Sequence, residues 1–203
     1  MIFIMGFASI LQSLGKTILS SAILTLIIFG FFFYLNGGWA SDTYFWSAFF
    51  RYLHVLSGIM WIGLLWYFNF VQIPSMPKIP DEQKPAVSKV IAPTALFWFR
   101  WAALSTIVTG LITAYLNGYV HEALLLKGAP KNITIGIGMW LGLIMAFNVW
   151  FIIWPNQKRA LGIVETDPET KSKSARTAML VSRLNTFLSI PMLLTMVIAQ
   201  NLY

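Results

Sequence analysis

The chain has 203 residues, 58% of them hydrophobic and only 10% charged, against roughly 25% charged in an ordinary soluble domain. Mean hydropathy is +0.72, and a soluble fold of this size cannot hide so much apolar surface, so the sequence reads as an integral membrane protein. The net charge of +7, from 14 Lys and Arg against 7 Asp and Glu, is then first a topology signal and not evidence of nucleic acid. With no cysteine, disulfides, thiolate metal sites and covalent c-type haem attachment are excluded within this chain.

Crossing the bilayer core takes about 20 mostly apolar residues in a helix. Residues 1–16 are too short and lack the flanks of a removable signal, so they read as an interfacial segment ahead of a transmembrane domain over residues 17–203. Five predicted spans follow: Thr17 to Tyr34, about Tyr44 to Ile73, about Ala95 to Leu116, Ile133 to Trp154, and Leu184 almost to the C-terminus. Pro74, Pro77 and Pro80 are expected to close the second helix and Pro155 the fourth. Gly162 to Ser174 is the longest polar stretch and reads as a loop.

The up-and-down order puts ten basic residues on one side (Lys16, Lys78, Lys84, Lys89, Lys158, Arg159, Lys171, Lys173, Arg176, Arg183) and only Lys127 and Lys131 on the other. That bias predicts a cytoplasmic N-terminus and a C-terminus outside. The expected fold class is therefore an all-α integral membrane bundle of five transmembrane helices, multi-pass in a bacterial inner membrane. The lipid bilayer is its first partner, and no nucleic acid is expected.

Arg51 and Arg100 fall inside predicted spans, and no Asp or Glu does. Charges at depth are costly and normally paired, so an anionic partner from outside the chain is implied: a lipid headgroup, a haem propionate or an anionic substrate. At about 100° per residue, Arg51, His54, Gly58, Leu65, Asn69 and Gln72 share one narrow face of the second helix. Interhelical hydrogen bonding explains the two amides easily and Arg51 with His54 less so. His54 is a candidate metal ligand, as an axial ligand to a b-type haem. The only other histidine, His121, is placed in a loop, so the second ligand would have to be Met192 or Met196, with Arg51 nearby as part of the same cofactor site. The same methionines could equally be packing residues.

A second constellation gathers at the basic end, where Asn69, Gln72, Arg100, Asn148, Asn156 and Gln157 converge with Arg183 and Asn185. Amides and a guanidinium suit a flat, anionic, hydrogen-bond-rich molecule; individually each also serves as a helix-end or headgroup contact. Gly138 with Gly142, and Thr106, Thr109, Gly110 and Thr113, mark faces suited to close helix packing.

Four phrases, RYLHVLSGIMWIGLLWYFNFVQIP (Arg51 to Pro74), FWFRWAALSTIVTGLI (Phe97 to Ile112), MAFNVWFIIWPNQKRALG (Met145 to Gly162) and SRLNTFLSIPMLLTMV (Ser182 to Val197), resemble one family. It is the membrane domain of bacterial cytochrome c-linked urate oxidases, also called urate hydroxylases. The resemblance implies oxidation of a purine at the membrane, with substrate at the amide and arginine cluster, a redox centre near His54, and electron transfer to cytochrome c. Two departures accompany it. The sequence holds no CxxCH, so the expected acceptor is a separate cytochrome c or another membrane subunit. Where the family carries a histidine in its last helix, this chain has Ile198-Ala199-Gln200. The alternative expectation is a non-catalytic accessory subunit of a larger respiratory or oxidase complex.

Overall fold

The computed structural model describes residues 8–37 and 42–203. These are helical, with no strand among them. Five helices are long and apolar enough to cross a membrane: α1 Leu14–Leu35, α2 Thr43–Lys78, α3 Lys84–Leu116, α5 Pro130–Ala160 and α6 Pro168–Asn201; a short α4, Val120–Leu124, lies between α3 and α5. The chain divides into two compact units, Met1–Phe45 and Trp46–Tyr203. In the first, residues 8–11 form a helical turn and none of the residues of α1 is buried. Residues 1–7 of the expected interfacial segment lie outside the described residues.

The second unit is an antiparallel bundle. Ser47 meets Asn117, His54 meets Thr106, Ser57 meets Ser105 and Phe68 meets Phe99, so α2 and α3 run in opposite directions. Asn148 meets Asn185 while a Cβ on Gly138 would meet Thr195, so α5 and α6 are likewise opposed. Its core is Trp61, Leu65, Leu96, Phe99, Met145, Val149 and Ile153, with Met192 closing it from α6.

α2 ends at Lys78, just ahead of Pro80 as expected, but Pro74, Pro77 and Pro155 do not end their helices. α2 runs through Pro74 and Pro77 to Lys78, and α5 through Pro155 to Ala160. The helix instead widens to π geometry over Tyr67–Gln72, Val87–Ile91 and Asn148–Ile153, each stretch stopping two residues before a proline: Pro74, Pro93 and Pro155. A proline has no N–H and its ring crowds the carbonyl four residues back. A local i→i+5 ladder relieves that clash and keeps the helix continuous.

The polar stretch Gly162 to Ser174 is not all loop either. α6 begins at Pro168, with Asp167 as its cap: the Thr170 N–H donates to Asp167 Oδ1 at 2.9 Å. An Asp cap followed by proline in the first turn is a standard helix start. That hydrogen bond holds the Asp167 carboxyl below its ordinary range. Gly118 and Gly162, at φ +74° each, take the left-handed turns that follow α3 and α5.

Candidate functional site

One helix organises the polar interior of the second unit. Ser182, Asn185 and Ser189 are buried along α6 at spacings of three and four, and so share a face. Asn69 Nδ2 donates to Ser182 Oγ at 2.8 Å and to the Leu65 carbonyl at 2.9 Å. Trp66 Nε1 donates to Ser189 Oγ at 3.0 Å. On the other side Asn148 Nδ2 donates to Asn185 Oδ1 at 2.8 Å, and Asn185 Nδ2 to the Met145 carbonyl at 2.9 Å. The seam thus ties α6 to α2 and α5 beside their π stretches.

Arg100 is 9% exposed, with its Cζ 3.4 Å from the centroid of the Trp154 ring. A guanidinium stacked on an indole face is held by the ring quadrupole. Arg100 Nη1, Asn69 Oδ1 and Gln72 Oε1 are buried and have no hydrogen-bond partner among the described residues. Asn156 donates to the Ile152 carbonyl of its own helix. Of the six residues expected to bind substrate, then, Asn69 and Asn148 are joined through α6, and Arg100 stacks on the helix that carries Asn156 and Gln157. Asn69, Gln72 and Arg100 retain unused hydrogen-bonding capacity, which buried groups rarely do without a ligand or water.

Toward the opposite end lies a cavity of about 620 Å³ whose wall includes Arg51, His54, Met192 and Met196. These are the four residues expected around a cofactor; none of the six substrate candidates lines it. The remaining wall is mostly apolar, with Trp61, Trp66 and Tyr119 among it. His54 Nδ1 is 2.8 Å from the Thr106 carbonyl. A carbonyl only accepts, so Nδ1 carries the proton and donates, leaving the Nε2 lone pair without a hydrogen-bond partner among the described residues. The ring packs against Gly110, where a Cβ would come within 2.8 Å of its Cε1 and Nδ1 atoms. Gly110 is therefore small because the imidazole occupies the space. Burial pushes the Tyr119 phenol above its ordinary value, and the Arg51 guanidinium offsets part of that.

Two features of the cavity went unseen in the sequence: Tyr119, which sits in a turn with no periodicity to flag it, and the bond from His54 to a backbone carbonyl. The small-residue faces match their expected use. Gly138 faces Thr195 and Met196 of α6, and Gly58 meets Thr106 across α2 and α3. Among the described residues no group of three or more His, Cys, Asp or Glu could hold a metal ion by itself.

Neither the curated proteins nor the solved structures compared with the chain match it. A family model does match, over residues 123–201. That stretch contains α5 and α6, hence Asn148, Asn156, Gln157, Met192 and Met196, while Arg51, His54, Asn69, Gln72 and Arg100 precede it. Through its last two long helices the chain is similar to the family described as Urate oxidase N-terminal, and this part of the molecule resembles a urate oxidase membrane domain.

Proposed function

We propose that the protein is a membrane oxidoreductase of the urate oxidase type, in which a purine binds at the basic end and electrons leave through the 620 Å³ cavity. The observation that carries this reading is the separation of two polar sites within one bundle whose last two long helices match that family. At the basic end Arg100 would pair with an anionic purine, and Asn69 Oδ1 and Gln72 Oε1 would accept from its ring N–H groups. Asn148, Asn156 and Gln157 complete that end. The positive-inside bias puts it at the cytoplasm, with the cavity nearer the outside of a bacterial inner membrane.

A b-type haem fits the cavity's donor set. His54 Nε2 with Met192 or Met196 would hold it, and Arg51 would pair with a propionate. Such a group supplies one-electron transfer. The chain's own part is to fix the imidazole tautomer through the Thr106 carbonyl and to keep the cavity apolar. The acceptor in this reading is a separate cytochrome c or a partner subunit.

The test combines two measurements on the detergent-purified chain. Urate and related purines should raise the thermal stability of the wild type, and Arg100→Gln should remove most of that shift. A reduced-minus-oxidised spectrum should show a b-type band that His54→Ala abolishes. A chain with no chromophore and no response to purines would sink this reading and leave the accessory-subunit role, to be checked by co-purification with a membrane partner.

A further inference from the structure

Trp154 carries a second cation besides Arg100. Lys158 Nζ lies 5.7 Å from the centroid of the same indole ring, against 3.4 Å for Arg100 Cζ. Lys158 follows Trp154 by four residues on α5, so the two share a helix face. Its backbone is fixed by the turn that ends α5. The Lys158 carbonyl accepts from the Ile163 N–H at 2.9 Å and the Val164 N–H at 3.1 Å, and Gly162 takes the left-handed position ahead of them. The π stretch Asn148–Ile153 stops directly before Trp154, and so sets the rotation at which the end of α5 presents this ring and Lys158 to α3.

Two cations on one ring repel each other, and no carboxylate among the described residues is paired with either. The ion pairs there are Lys84 with Asp81 and Lys173 with Glu169, and the Asp167 carboxylate is engaged at the start of α6. The helix dipole explains a basic residue in the last turn of α5, but Arg159 satisfies that need equally. It does not explain a cation over the ring that already holds Arg100, whose Nη1 is buried without a hydrogen-bond partner among the described residues. A bound anion does, because it turns the repulsion between two charges into attraction to a third. Such attraction is strong where water is excluded, and Arg100 is 9% exposed. The acceptors at the same level select the kind of anion. Phe68 and Phe99, the chain neighbours of Asn69 and Arg100, meet ring to ring at 5.7 Å, and Asn69 Oδ1 and Gln72 Oε1 are buried acceptors with no donor among the described residues. Such oxygens repel a bare phosphate and receive N–H groups. The anion that fits is a planar ring bearing both a negative charge and N–H donors.

We infer that Arg100 and Lys158 form an anion clamp on Trp154, which makes the basic end choose its ligand by charge: a singly ionised, N–H-bearing heterocycle over an uncharged analogue. This rests on the reading of the basic end as the ligand site, and it adds Lys158 as the residue that reads charge.

The test uses the full chain in neutral-detergent micelles at neutral pH and low salt, with the shift of thermal unfolding against ligand concentration as the readout. The probes are urate and orotate, both singly ionised at that pH, and hypoxanthine, which is uncharged. Urate should bind more tightly than hypoxanthine. Lys158→Gln should weaken the anions about tenfold, the loss of one charge-assisted contact, and leave any hypoxanthine binding unchanged. Lys158→Arg should restore them. Arg159→Gln removes the same charge one residue on and should change none of the three. That pattern in either anion supports the inference; where orotate alone shows it, the purine reading falls and the clamp stands. Purines that bind with an affinity indifferent to Lys158→Gln overturn the inference and leave the purine reading standing. Equal weakening by Arg159→Gln overturns it too, since the effect is then the field of the whole basic end. So does displacement of the ring anions by micellar phosphatidylglycerol, which hands the two cations to a lipid headgroup. A wild type that binds neither anion overturns clamp and purine reading together.

Discussion

Asn185 is fully buried and spends both ends of its amide on α5: Oδ1 accepts from Asn148 and Nδ2 donates to the Met145 carbonyl. Asn185→Leu leaves both partners unpaired in an apolar core, which costs about 1–3 kcal/mol. The midpoint of thermal unfolding in detergent should fall accordingly. Adding Asn148→Leu should cost less than the sum of the two single changes, since they share one bond. A gentler test applies to Asp167, which is fully exposed. Its carboxyl is held below the ordinary value by the Thr170 N–H, so the cap's contribution is complete above the unfolded carboxylate pKa and is lost as pH falls through the lowered folded value. The protection of the Thr170 amide against exchange, measured relative to its intrinsic rate at each pH, should fall on acidification through that window, and Asp167→Ala should show the low protection already at neutral pH.

At the scale of the element, the helices are set by how closely they approach and how they pass their prolines. A Cβ at Gly138 would come within 2.6 Å of Thr195 Oγ1, whereas one at Gly30 in α1 meets nothing within 4 Å. Gly138→Leu should therefore force α5 and α6 apart and cost about 1–3 kcal/mol, while Gly30→Leu should leave thermal stability within error. Gly110→Ala tests the imidazole seat: with 2.8 Å to the ring, the methyl must displace His54, so any ligand spectrum or affinity that depends on His54 should change without loss of the fold. The prolines carry the opposite lesson. Their chemistry suggests helix ends, yet α2 continues past Pro74 and α5 past Pro155, each after a π stretch that stops two residues earlier. The cost of a missing N–H is local, and a long apolar helix whose alternative is unpaired backbone in lipid has every reason to absorb it.

For the whole molecule, the distribution of basic residues predicts that a phosphatase fused after Tyr203 is active and that one inserted in the loop before Pro168 is inactive. The reverse pattern would invert the bundle and with it the assignment of the purine end. The number of long helices and their apolar character were legible in the sequence because membrane solvation imposes a length and a composition on every span, residue by residue. So were the polar residues that stand out against that background: Arg51, His54, Asn69, Arg100 and Asn148 needed no fold to be noticed.

Their partners were another matter. One periodic wedge on α2 carries Arg51 and His54 toward one end and Asn69 and Gln72 toward the other, but says nothing of what each pair meets. Arg51 and His54 line a cavity with Met192 and Met196, while Asn69 is bonded to Ser182 on α6. A helix face is a one-dimensional property that a pattern can reveal, whereas which face meets which helix depends on close approach at Gly58, Gly110 and Gly138 and on the rotation introduced by each π stretch. Composition and local spacing determined that this chain is a bundle of membrane-length helices bearing a few costly polar groups. The tertiary structure alone decided which partners these groups meet, His54 Nδ1 the Thr106 carbonyl, Asn69 the Ser182 hydroxyl and Arg100 the Trp154 ring, because those outcomes depend on contacts between residues far apart in the chain.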